Sequence, residues 1–292
     1  MGEQPSVAYG GQAVVEGVMI RGKSAVAVAV RRKDGSIRTE ARPLQAVLTR
    51  HPGLNRPFVR GTFALWDSLS LGFRALLWSA NVALEDEGQR PISRGTFALT
   101  MVVALAVGMG LFVLLPSLLT PKVGKSAALT NIIEGVLRNG VFVLYILVIM
   151  RLRDVQRLFA YHGAEHKVVN AFERDAANPQ PEAHSRLHRR CGTVFIAVVI
   201  VVGILVHMTM GWPVWYWRLL SRLAVLPVIA GISYELIRLA SRRDHPLLRA
   251  LVWPGMLVQR LTTREPAPDM IEVAQAALDA VRAQDGATPS EA

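Results

Sequence analysis

Between Tyr161 and Thr193 the chain carries four of its seven histidines and its only cysteine. His162 and His166 stand four residues apart, so on a helix both imidazoles leave one face, one turn apart. Glu165 sits between them and completes His-x-x-Glu-His, an order in which two imidazoles hold zinc and the carboxylate works as a general base. His184, His188 and Cys191 follow at i, i+4 and i+7, which predicts a second helical face of donors. Imidazole nitrogen and thiolate sulfur suit Zn²⁺, so zinc is the expected cofactor. A catalytic zinc takes three protein ligands and leaves a position open, whereas a structural zinc is closed by four. Five donors allow either. Gly163 inside the first helix argues against a stable helical site, because glycine lowers helix propensity.

The elements that must position these residues are membrane elements. Apolar residues make up 51% of the 292-residue chain and charged residues only 19%, a balance that points to apolar spans. Residues 95–120 contain no charge before Lys122. Further apolar runs cover about 131–150, 192–210 and 219–239, and GWPVWYW at 211–217 supplies an aromatic belt. Lysine and arginine number 13 in 1–94, two in 120–130, eight in 151–191, one in 211–218 and seven in 238–292. By the positive-inside rule this alternation predicts four spans with both termini and the histidine loop in the cytoplasm. That distribution also accounts for the net charge of +11, and no nucleic-acid partner is expected. The first residues lack a basic region and an apolar core, so no signal peptide is expected. A single cysteine excludes an internal disulfide.

The expected fold class is a mainly α membrane protein of about four transmembrane helices with a small N-terminal β-rich cytoplasmic region. Residues 1–57 form that region. SAVAVAV at 24–30 and Ile37–Glu40 bracket Asp34-Gly35, a hairpin signal, and the glycine-rich run before them predicts another strand. Residues 58–94 hold an interfacial helix and linker, and the repeated RGTFAL at 60–65 and 94–99 predicts Thr62 and Thr96 as N-caps. Residues 95–240 are the membrane domain, with the cytoplasmic loop 151–191. Residues 241–292 form a cytoplasmic tail: a basic, membrane-hugging stretch, an amphipathic helix over 270–281 and a disordered end. Glu16 is a second-rank ligand or substrate contact. Glu235 and Arg238 are an ionisable pair at a span end and hence further site candidates. His207 reads as a packing residue, and His51 and His245 carry no assigned role.

Three stretches, GGQAVVEGVMIRG at 10–22, YHGAEHK at 161–167 and HSRLHRRCGT at 184–193, together with SYELIRLA at 233–240 and LTTREP at 261–266, resemble the YqhQ family of bacterial membrane proteins. That family is one of unknown function, described as predicted metal-dependent enzymes. The resemblance implies a bacterial cytoplasmic (inner) membrane protein with site residues at His162, Glu165, His166, His184, His188 and Cys191, and Glu16 behind them. The residues support two readings: a zinc-dependent hydrolase acting on a peptide or lipid-linked substrate at the cytoplasmic face, and a membrane scaffold or transport component with a structural zinc. Membrane lipids are the expected partners, and a homo-oligomer is compatible with both readings.

Overall fold

The computed structural model describes residues 9–121, 126–243 and 245–287. Expectations for residues 1–8, for Lys122 and Lys125, and for the chain beyond Ala287 fall outside them. Strands β1 (Gly10–Val14), β2 (Gly17–Arg21), β3 (Ala25–Arg31) and β4 (Ile37–Pro43) form one antiparallel sheet in the order β1-β2-β3-β4. The β3–β4 hairpin closes at the expected Asp34-Gly35, where Gly35 takes φ +85 and the Asp34 carboxylate accepts from Ser36 N. Helices follow: α1 (Val47–Arg50), α2 (Val59–Glu85), α3 (Arg94–Met109), which runs through a π turn (Gly110–Leu114) into α4 (Leu115–Leu119), α5 (Ala127–Ile149), α6 (Arg153–Arg174), α7 (Gly192–Met208), α8 (Trp215–Ala224), α9 (Leu226–Arg242), α10 (Pro246–Thr262) and α11 (Pro268–Ala287).

Alternation in β3 places side chains on opposite faces of the sheet, and here both faces are covered. Ala25, Ala27 and Ala29 lie in a core with Val18 and Ile20 of β2, Tyr161, Ala164, Val168 and Phe172 of α6, and Val273, Ala277, Leu278 and Val281 of α11. Val26 and Val30 face the other way, against Ala75 and Val82 of α2. Alanine on one side lets two helices approach closely; valine on the other fills the wider gap beneath one. The apolar side expected of the C-terminal helix is therefore the third layer of this sandwich.

That helix also runs further than expected. Gln284, Asp285 and Gly286, read as disordered, continue α11. Asp285 explains this: its carboxylate accepts from Lys23 N, Ser24 N and Ser24 Oγ at 2.8 to 3.1 Å, closing the β2–β3 turn. The N-cap expectations also change. Ser93 caps α3 by accepting from Thr96 N, and Thr62 lies inside α2, whose N-cap is Phe58.

Among the described residues, three helical stretches are long and apolar enough to cross a membrane: Arg94–Leu119, Ala127–Ile149 and Trp215–Ser241. The first buries nothing in its most apolar window, and Leu99, Val102 and Val107 are each over 60% exposed. Such a surface suits hydrocarbon better than water. Helix α7 is apolar but shorter, at 17 residues. It packs on α9 through Val198, Val202 and Ile229. Helix α2 joins the two halves of the molecule. Its C-terminal part lies under the sheet, and its N-terminal part meets α9, where a side chain at Gly61 would strike Tyr234 Cβ at 2.6 Å.

Leu278, fully buried between sheet and helices, tests the third layer. Leu278→Ala should lower unfolding stability by about 2–5 kcal/mol. Thermal unfolding of the detergent-solubilised protein checks this, and an unchanged midpoint would mean that α11 does not dock.

Candidate metal centre

Helix α6 sits against the sheet, and only its outer face is free to build a site. His162 and His166 occupy that face with ring centroids 4.4 Å apart. Cys191, the N-cap residue of α7, completes a cluster in which one donor atom from each residue lies within 4.8 Å of the other two. His162 Nε2 is 3.2 Å from Cys191 Sγ.

Backbone carbonyls fix both rings. His162 Nδ1 lies 2.9 Å from the Thr262 carbonyl and His166 Nδ1 lies 2.7 Å from the Arg186 carbonyl. A carbonyl oxygen only accepts, so each Nδ1 carries the proton and each Nε2 turns its lone pair toward Cys191. Glu165 adds a fourth acceptor. It is 3% exposed, and its Oε2 is 3.4 Å from His166 Nε2 without hydrogen-bond geometry, and is buried without a partner among the described residues. Two lone pairs, a sulfur and a carboxylate thus converge with one thiol proton to share. Such an arrangement fits a cation. Burial pushes the Cys191 thiol up, but the hydrogen bond and charge that His166 offers once its Nε2 takes up the thiol's proton, with the Thr193 backbone N–H, outweigh it and hold the thiol below its ordinary range.

Gly163, which the sequence set against a helical site, is what the site requires. A Cβ there would lie 2.0 Å from the Arg264 carbonyl oxygen. Its absence lets residues 262–266 cross α6 close enough for the Thr262 carbonyl to reach His162, while Arg264 N donates to the Phe159 carbonyl at 2.8 Å. On the sheet side, a Cβ at Gly11 would lie 3.1 Å from Glu165 Cγ and 2.2 Å from the Met19 carbonyl, so β1 roofs the carboxylate.

The second predicted face of donors does not form. Residues 184–191 are a loop after a 3₁₀ turn, Pro181–Ala183, and Pro179 and Pro181 remove the backbone donors and conformations that a helix needs. His184 accordingly turns back on the Gln180 carbonyl at 2.8 Å, away from the cluster. His188 stays near, its ring centroid 5.7 Å from that of His166, but its Nε2 faces Glu173 at 3.5 Å. Gln259 of α10 clamps the backbone of His188, accepting from its N–H at 2.8 Å and donating to its carbonyl at 3.1 Å. Gln259 and Thr262 escaped the sequence reading, because one binds backbone and the other acts through it, and no side-chain pattern reveals either.

The remaining candidates act as ties. Glu16, at φ +50 in the β1–β2 turn, takes two hydrogen bonds from Arg157 on α6, one at 2.7 Å. Tyr161 donates to it at 3.5 Å. Glu235 does not choose Arg238: it receives Arg60 of α2 through Nε at 2.7 Å and Nη2 at 2.5 Å. That bond spans 175 residues and lies outside any local pattern.

The fold and the site together define a mainly helical protein that carries a small antiparallel sheet, apolar helices of membrane-spanning length and a histidine–cysteine cluster at a helix N-terminus. Residues 56–284 match the family described as "Protein of unknown function (DUF1385)", and the chain belongs to that family. It is 36% identical to the uncharacterized protein YqhQ of Bacillus subtilis (strain 168), over 91% of this chain and 90% of the relative. No solved structure matches it significantly.

Gly163→Ala should cost about 1–3 kcal/mol, because a backbone carbonyl must move to admit the methyl group. Gly140→Ala, with open space around it, should be neutral or slightly stabilising. Unfolding midpoints of the two variants compare them directly; equal midpoints would rule out the close crossing at Gly163.

Proposed function

We propose that this chain is a multi-pass protein of the bacterial cytoplasmic membrane in which His162, His166 and Cys191 hold a zinc ion at the cytoplasmic face, and that it is a metal-dependent hydrolase. The carrying observation is that both Nδ1 atoms are spent on carbonyls, so both Nε2 lone pairs face one thiol. Three protein donors leave a position free, which is the pattern of a catalytic zinc. In that position the ion would supply Lewis acidity to water or to a scissile carbonyl or phosphoryl group. Glu165 Oε2, buried and free of other bonds, is the base that takes the water's proton. Arg186, whose guanidinium also donates to the Thr263 carbonyl, is the basic residue of the loop available to steady negative charge, since Arg190 is paired with Glu173.

The membrane reading rests on the three apolar helices and on the alternation of basic residues along the chain. With α7 as a fourth span, the histidine loop and both termini share one side. At ~1.5 Å per residue α7 is about 25 Å long, and its flanking turn brings it near the hydrocarbon thickness. Cys191 then lies at the cytoplasmic edge, within reach of a peptide or a lipid-linked substrate and in a reducing compartment.

One observation favours a second reading. Glu165 Oε2 is only 3.4 Å from His166 Nε2, so the carboxylate has the reach of a fourth ligand. A closed His₂CysGlu site would be structural, and the protein a scaffold or transport component.

Metal analysis of the purified protein separates these. Wild type and His184→Ala should hold about one zinc per chain, and His166→Ala should lose it. Glu165→Gln should keep zinc in the hydrolase and lose at least about tenfold in affinity if the carboxylate is a ligand. With Co²⁺ in the site, azide should change the visible spectrum only where a position is open. Alkylation of Cys191 should be fast after chelation and blocked by zinc. Wild-type protein prepared without chelator and free of metal would sink both readings.

A further inference from the structure

The opposite end of α7 buries a second cluster, of opposite character. His207 lies about 24 Å along the helix from Cys191 at ~1.5 Å per residue. Beside it Glu134 of α5 takes Arg138, one turn away, at 2.5 Å, and also takes Arg222 of α8. Arg222 donates again, to Asn131 Oδ1 at 2.6 Å. Arg218, one turn earlier on α8, donates to the Ser117 carbonyl at 2.8 Å. Its guanidinium carbon stands 4.0 Å from the centre of the Trp212 ring.

Three guanidiniums thus gather near one carboxylate: Arg138 and Arg222 bond to it, and Arg218 sits one helical turn from Arg222. Arg218 is 7% exposed, Arg222 2% and Glu134 1%. One arginine would have neutralised Glu134, so the cluster carries two surplus positive charges. Among the described residues, Arg138 Nε, Arg218 Nε, Arg222 Nη1 and His207 Nε2 are buried without a hydrogen-bond partner. Buried surplus charge with idle donors is costly within a bundle of apolar helices unless an anion balances it. The surroundings fix its kind. Trp215, Tyr216 and Trp217 open α8 beside the cluster, each about half exposed, as aromatic residues do at headgroup level. Guanidinium forks match the oxygens of a phosphate, and the surplus charge matches its own.

We propose that Arg138, Arg218 and Arg222, with His207, form a phosphate-binding site at the end of α7 remote from the metal cluster. The site stands on the membrane reading and is independent of zinc. The phosphate belongs either to a phospholipid headgroup or to a free anion; the chemistry of recognition is the same.

The test uses full-length protein stripped of lipid in detergent, followed by thermal unfolding. Phosphatidylglycerol, diacylglycerol and inorganic phosphate are titrated separately. Phosphatidylglycerol should raise the midpoint and diacylglycerol, which lacks the phosphate, should not. Protection by inorganic phosphate alone would also support the site and would identify a free anion as its ligand. Arg138→Gln and Arg218→Gln should each weaken the protecting ligand about tenfold or more. Arg222 is left intact because, among the described residues, it alone ties both Glu134 and Asn131 and so anchors α8 to α5. If either variant fails to fold, the wild-type contrast between phosphatidylglycerol and diacylglycerol still decides. Equal effects of the two lipids with none from phosphate, or folded variants that respond like wild type, would overturn the proposal and leave the cluster a structural charge network.

Discussion

An imidazole can present either nitrogen, and what settles the choice here is a pair of backbone carbonyls, of Thr262 and Arg186, that take the Nδ1 protons of His162 and His166. The first carbonyl is 100 residues away in sequence and the second 20. Each carrier segment must therefore be held by something else. Residues 262–266 are held where they cross Gly163, with Lys167 pairing Glu265 at 2.5 Å just beyond. The loop that ends in Cys191 is held by Asn170, which donates to the Ser185 and Leu187 carbonyls, and by Gln259. The donor cluster is the last consequence of this chain of supports, because a ring free to flip would present a proton where a lone pair is needed.

The supports rest in turn on a sheet with both faces buried. A half-exposed sheet would leave α6 free to roll, and with it both histidines. Here α11 wedges beside α6 on one face while α2 closes the other. Glu16 pins the β1–β2 turn to Arg157, just over one turn before His162. Helix α2 then carries the same rigidity to the apolar helices through Arg60 and Glu235. Sheet, donor cluster and bundle form one mechanical unit, although they are spread across the whole sequence.

Much of this was legible. Alternation in SAVAVAV, the Asp34-Gly35 turn and the apolar runs are local signals, and local physics decides them. His162 and His166 were legible because their spacing and the helix period agree. His184 was not, because i, i+4 spacing carries meaning only on a helix; Pro179 and Pro181 were the available warning. Local spacing pairs Glu235 with Arg238, but Arg60 on another helix offers the better geometry. Gly163 misled most. Helix propensity prices glycine by what the isolated helix loses, whereas its value here is the contact that a side chain would forbid.

The two ends of α7 differ in a way that the helix itself favours. Its N-terminus carries partial positive charge from unpaired N–H groups, and there Cys191 accepts from Thr193 N, an arrangement that stabilises thiolate. Its C-terminus carries partial negative charge, and there the Met210 carbonyl accepts from Asn131 while guanidiniums gather around Glu134. An acceptor-rich cluster at the positive end and a cation-rich cluster at the negative end each lower the cost of burying what they bury. Exchanging the two would place like against like at both ends. The sequence order of α7, cysteine first and histidine last, is thus the electrostatically favoured one.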